Sequence, residues 1–109
     1  MLNMKSDLFD KLEDKKYSSH ILSITIEKHL FGGLHGLIHL DNKITISVVQ
    51  NRLAYCGEGT VEIGIFDSET DNPVKGIIND EEYIQGYVTP QQFFEIMEKA
   101  LNFKRTLQE

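Results

Sequence analysis

The chain has 109 residues, of which 40% are hydrophobic and 26% charged, a composition suited to one globular domain rather than a disordered or fibrous segment. Seventeen acids against eleven bases leave a net charge of −6, which argues against a protein that coats nucleic acid or an anionic membrane. The lone Cys56 excludes an internal disulfide and any CxxC zinc site. No run approaches the roughly 20 apolar residues of a membrane span, and the first residues lack the apolar core of a signal peptide. The expectation is a soluble cytoplasmic protein.

Residues 1–18 mix charges of both signs and place Leu8, Phe9 and Leu12 at helical spacing after Ser6, a candidate N-cap. They read as a short helix or an arm that orders by docking, ahead of a single domain over residues 19–109. From His20 to Lys28, Leu22, Ile24 and Ile26 alternate with Ser23, Thr25 and Glu27, the period of a strand with one buried face. Leu34 to Leu40 and Ile44 to Val49 flank Asp41-Asn42-Lys43 as a hairpin. A two-residue loop would pair Ile38 with Thr45 and mix the faces. A three-residue loop pairs Ile38 with Ile46 and Leu40 with Ile44, so it is the expected one, with Asn42 or Lys43 left-handed.

The alternation then changes phase between Val48 and Leu53, which predicts a bulge or break near Gln50-Asn51. Gly57-Glu58-Gly59 reads as a turn into a strand from Thr60 to Phe66 with Val61, Ile63 and Ile65 buried. Asp67 to Pro73 is a polar loop, and Ile77-Ile78 and Ile84 to Val88 offer one or two short strands around Asp80-Glu81-Glu82. Thr89-Pro90-Gln91-Gln92 is a capping box with proline at the first helical position. The apolar stripe of Phe93, Ile96, Ala100 and Phe103, with Phe94, Met97 and Leu101 beside them, carries that helix to near Lys104. The fold class is α+β: a mainly antiparallel sheet of four or five strands packed by a C-terminal helix.

Four histidines, His20, His29, His35 and His39, fall within twenty residues, and the last two have the HxxxH spacing that binds zinc on a helix. On a strand that spacing spans roughly 13 Å, too far for both rings to reach one metal. A small metal-binding protein or enzyme using this cluster is therefore the alternative reading, and no cofactor is expected. Asp67-Ser68-Glu69-Thr70-Asp71 begins like a calcium loop, but Asn72 and Ile78 stand where glycine and a bidentate glutamate belong. Gly57-Glu58-Gly59 lacks the lysine and following helix of a phosphate loop. Cys56 has no base at motif spacing, and adjacent Glu81 and Glu82 on a strand would point to opposite faces.

Charge distribution is more telling. Between Gly57 and Glu98 there are ten acids and one base, whereas residues 1–56 carry net +1 and residues 99–109 net +2. Glu58, Glu62, Asp67, Glu69, Asp80, Glu81 and Glu82 form the candidate partner-binding region, an acidic surface for a protein with a basic one. Direct nucleic-acid binding would have to use the N-terminal half and would be steeply salt-dependent.

The segments Ile46-Ser47-Val48-Val49, Tyr55-Cys56-Gly57-Glu58-Gly59-Thr60-Val61-Glu62-Ile63-Gly64-Ile65-Phe66-Asp67 and Gly86-Tyr87-Val88-Thr89-Pro90-Gln91-Gln92 resemble small uncharacterised proteins of phages, prophages and mobile elements over residues 44–104. Those share a serine-valine strand, a tyrosine-glycine-glycine turn, a YELAVL-like strand and a GYLT segment before an acidic helix; here Cys56 takes the place of the first turn glycine. The resemblance implies a mobile-element accessory protein, such as a defence inhibitor of the anti-CRISPR kind. The expected function is non-enzymatic: an acidic protein-interaction module that binds and modulates a host protein, with homodimerisation through a sheet edge or the exposed sheet face.

Overall fold

The computed structural model describes residues 2–28, 32–50 and 59–103. Five antiparallel strands run β1 (Ile21–Lys28), β2 (Leu34–Leu40), β3 (Ile44–Gln50), β4 (Val61–Asp67) and β5 (Ile84–Val88), in spatial order β1-β2-β3-β4-β5. They form an open meander in which each strand pairs with its sequence neighbours. The helical elements are an irregular segment from Met4 to Glu13, the single turn α1 (Lys15–Ser18) and α2 (Pro90–Leu101). The architecture is thus α+β. No described helix is long and apolar enough to cross a membrane.

The central hairpin follows the expected register: Ile38 lies opposite Ile46, and the turn residue Lys43 is left-handed at φ 68°. Ile38, Leu40, Ile44, Ile46, Val48, Val61, Ile63 and Ile65 are all fully or nearly fully buried on one face. Alternation of two places His35, Leu37, His39, Thr45, Ser47, Val49, Glu62 and Phe66 on the other face. The phase change expected near Gln50-Asn51, with Leu53, Tyr55 and Cys56, lies outside the described residues beyond the end of β3.

Two elements cover the apolar face. In α2 the capping box is present, with the Gln92 N–H donating to Thr89 Oγ1 at 3.3 Å and the Thr89 N–H to Gln92 Oε1 at 3.0 Å. Phe93, Ile96, Met97 and Ala100 point at the sheet. The N-terminal segment supplies Met4, Leu8, Phe9, Leu12 and Tyr17 to the same core cluster. Its cap is Asn3, not Ser6: Asn3 Oδ1 accepts from the Ser6 N–H at 2.9 Å while Asp7 Oδ2 accepts from the Asn3 N–H at 2.7 Å. This reciprocal pair starts the chain turning one residue after Asn3, in a wide π-type turn. The segment joins α2 through Phe9 against Phe93 and Tyr17 against Phe94, with ring centroids 6.4 and 5.8 Å apart.

Three expectations are corrected. Leu22, Ile24 and Ile26 are not buried: β1 is the outermost strand, beyond the reach of both covers, and these side chains are 71%, 37% and 37% exposed. Ile77-Ile78 forms no strand; Gly76, at φ 102°, turns the loop so that Ile77 inserts into the core as a plug. The helix ends at Leu101 rather than near Lys104.

The end of α2 is held from across the molecule. Asn42, in the central hairpin turn, donates through Nδ2 to the carbonyls of Ala100 at 2.8 Å and Phe103 at 3.2 Å. The Ala100 carbonyl also accepts the Phe103 N–H at 3.3 Å, and the amide adds a cap to this helix end from outside. Replacing Asn42 by Ala should cost about 1–2 kcal/mol in urea unfolding, and Asn42→Asp more, because a carboxylate would face two carbonyl oxygens.

Candidate functional site

The acidic residues separate into two groups once placed. Asp67 ends β4 and turns its carboxylate back on the chain, where Oδ1 accepts from the N–H groups of Glu69 at 2.7 Å and Thr70 at 3.1 Å. This is the local turn chemistry of aspartate rather than calcium ligation. Glu69 pairs with Lys43 at 2.7 Å, both side chains exposed. Glu62 is half-buried on β4, and Glu58 lies outside the described residues. Asp80, Glu81 and Glu82 differ from these. They are exposed in the loop before β5, which Asn79 shapes by accepting from the N–H groups of Glu81 and Glu82, both at 2.8 Å.

Beside that loop the sheet carries large apolar side chains toward solvent. Phe66 lies across Gly64, where an added β-carbon would meet its ring at 2.8 Å, and it packs edge-on against Tyr83 with centroids 5.7 Å apart. Ile84, opposite Gly64, is 37% exposed and Tyr87 62%. The register explains Tyr87. Ile63 faces Gln85 and Val61 faces Val88, so two residues, Gly86 and Tyr87, stand opposite the single Glu62. The extra residue is a β-bulge, and Tyr87 absorbs it at φ 54°. A bulky residue in that region is strained by roughly 1–2 kcal/mol, and such strain gathers where a side chain is re-aimed for use.

An exposed tyrosine, an edge-stacked aromatic pair and a rim of three carboxylates thus share the β4–β5 side of the sheet. Aromatic anchors inside a polar rim are the usual make-up of a protein interface. The acids of this patch were legible in the sequence, whereas Tyr87 was not, because Ile84 to Val88 reads as an ordinary strand. The signal was Gly86, since a glycine inside a strand often marks a bulge.

The described histidines do not converge. His20 Nδ1 approaches Asp41 Oδ2 at 3.2 Å near the start of β1, and His29 lies outside the described residues. His35 and His39 sit half-buried on the face of β2 opposite the core, each sharing a hydrogen bond with a β3 hydroxyl: His35 Nε2 with Ser47 Oγ at 2.8 Å, and His39 Nδ1 with Thr45 Oγ1 at 2.9 Å. Thr45 passes the chain on to Ser68 Oγ at 2.6 Å. Among the described residues no group of three or more His, Cys, Asp or Glu is arranged to hold a metal. The His35–Ser47 contact has the length a serine nucleophile needs from its base, but it lies on a face that no described helix shields from water. A cleft of about 230 Å³ lined by Lys16, Tyr17, His20, Glu98, Leu101 and Asn102 falls below the usual size of a small-molecule site.

No protein-family model matches the chain, and neither the curated proteins nor the solved structures contain a significant match to it.

The strain at Tyr87 gives a direct check. Because glycine adopts a positive φ freely, Tyr87→Gly should leave the urea midpoint unchanged or raise it, despite the loss of a large side chain. An ordinary packed tyrosine would instead lose about 2 kcal/mol or more on truncation.

Proposed function

We propose that the protein is a non-enzymatic interaction module that binds a basic surface of another protein through its β4–β5 side. Tyr87 acts as the anchor, with Phe66, Tyr83 and Ile84 beside it and Asp80, Glu81 and Glu82 as the rim. The observation that carries this reading is the bulge at Gly86-Tyr87, which holds a large aromatic side chain in solvent at a cost in backbone strain. An acidic patch alone would be explained as a solvated surface. An acidic loop leading into the same short strand as a strained, exposed tyrosine makes a recognition surface. The carboxylates steer a basic partner and favour it over acidic competitors, while the rings supply contact area. The resemblance in residues 44–104 supports a role as a mobile-element accessory protein that modulates a host factor in the cytoplasm.

Affinity capture from host lysate, compared between variants, tests the proposal. Glu81→Lys with Glu82→Lys should abolish capture of a partner that the unaltered chain retains, and Tyr87→Gly should weaken it at least tenfold, with both variants folded by circular dichroism. Asp10→Lys with Glu13→Lys changes net charge equally on the N-terminal segment and should leave capture intact. Equal loss in both double variants would reduce the effect to net charge, and undiminished capture by the Glu81/Glu82 variant would remove the proposal.

A further inference from the structure

The two edges of the sheet are built differently. β5 has five residues and a bulge within it, with three acids in the loop before it; these are the devices that keep an edge strand from pairing with another chain. β1 has eight residues. Its only irregularity lies at Leu22, between the pairs Ile21–Leu40 and Ser23–His39, and from Ser23 to Lys28 its register with β2 is unbroken. Its outer edge carries no strand among the described residues. The same strand exposes Leu22, Ile24 and Ile26, so among the described residues nothing pairs with its outer backbone edge and its apolar side chains are open to solvent.

We propose that two copies of the chain join through β1, antiparallel about a two-fold axis at Thr25, to make one continuous ten-stranded sheet. The sequence of the strand is self-complementary in this register. Ile24 of each copy falls opposite Ile26 of the other, on the face that carries Ile38 and Gly36, extending the apolar face across the junction. On the opposite face Thr25 meets Thr25 of the second copy, a favourable cross-strand pair, and Ser23 meets Glu27. Lys28 falls opposite Leu22, where its aliphatic stem covers the leucine while the ammonium stays in water. No like charges are opposed, and a slip of one residue would set isoleucine against threonine on both faces.

Electrostatics selects the same edge. Residues 1–56 are close to neutral and the acid excess belongs to residues 57–98, so a second copy meets the least repulsion at β1. In the ten-stranded sheet the two β5 strands are nine strand spacings apart, roughly 43 Å. That is several Debye lengths of about 8 Å at physiological salt, and it leaves both acidic patches open.

Sedimentation of the full chain over about 1 to 300 µM should show a monomer–dimer equilibrium, a weak one because a single pair of strands, matched from Leu22 to Lys28, is smaller than a standard interface. Ile24→Glu with Ile26→Glu opposes like charges in this register and should sediment as monomer throughout. Ile24→Lys with Ile26→Glu is equally polar but places each introduced lysine opposite an introduced glutamate, and should restore the dimer. In a Cys56→Ser background, oxidation should crosslink Thr25→Cys between copies and should not crosslink Ser23→Cys. Thermal melts confirm that each variant is folded. A chain that stays monomeric at the highest concentration overturns the proposal, as does a dimer that survives the double glutamate variant or fails to return with the lysine–glutamate pair.

Discussion

The ring of Phe9 stands where any side chain at position 36 would begin: a β-carbon built on Gly36 would collide with Phe9 Cζ and lie 3.3 Å from Met4 Sδ. At this contact the N-terminal segment descends onto the sheet, and the rest of the structure depends on it. A meander of five strands buries one face only if something spans it, and α2, with twelve residues, spans part. The remainder is closed by Met4, Leu8, Phe9, Leu12 and Tyr17. Burying side chains of this size contributes about 1.5–3 kcal/mol each, so five of them match the entire net stability of a typical domain, about 5–15 kcal/mol. The segment is part of the core rather than an ornament on it.

Covering one face this way decides what the other surfaces can do. The two covers meet through Phe9–Phe93 and Tyr17–Phe94; at the sheet's flanks Leu22, Ile24 and Ile26 of β1 and Ile84 and Tyr87 of β5 stay exposed, while Val88 of β5 is buried. On one flank β5 is bulged, strained and rimmed with acid; on the other β1 is regular and apolar. The first suits a different partner reached by side chains, and the second suits a copy of itself reached by backbone pairing. The hydroxyl–imidazole pairs of the open face, His35–Ser47 and His39–Thr45, link β2 to β3 between them.

Local chemistry was readable in the sequence wherever it was self-contained. The capping box at Thr89 and Gln92 needs only residues three apart, and the hairpin register of Ile38 with Ile46 follows from keeping two faces consistent across one short turn. Features that depend on position in the sheet were not readable. Alternation placed Ile24 and Ile26 on the correct face but could not show that β1 is outermost, and hence exposed. Asn3 lacks the sequence signature of a capping box because its partner Asp7 lies four residues on rather than three. The burial of Ile77 from a loop, and the capping of α2 by Asn42 from 58 residues away, are tertiary facts without local pattern. Of the candidate acids, composition alone could not separate Asp67, which folds back on its own turn, from Glu81 and Glu82, which face solvent.

Removal of the N-terminal segment measures the central claim most directly. Urea unfolding of a fragment of residues 19–109, followed by tryptophan-independent probes such as far-ultraviolet circular dichroism and dye binding, should show a non-cooperative transition and an exposed apolar surface that binds the dye in the absence of urea. A fragment that unfolds cooperatively, with the midpoint and slope of the full chain and no dye binding, would contradict the account, because the sheet would then be sealed without Met4, Leu8, Phe9, Leu12 and Tyr17.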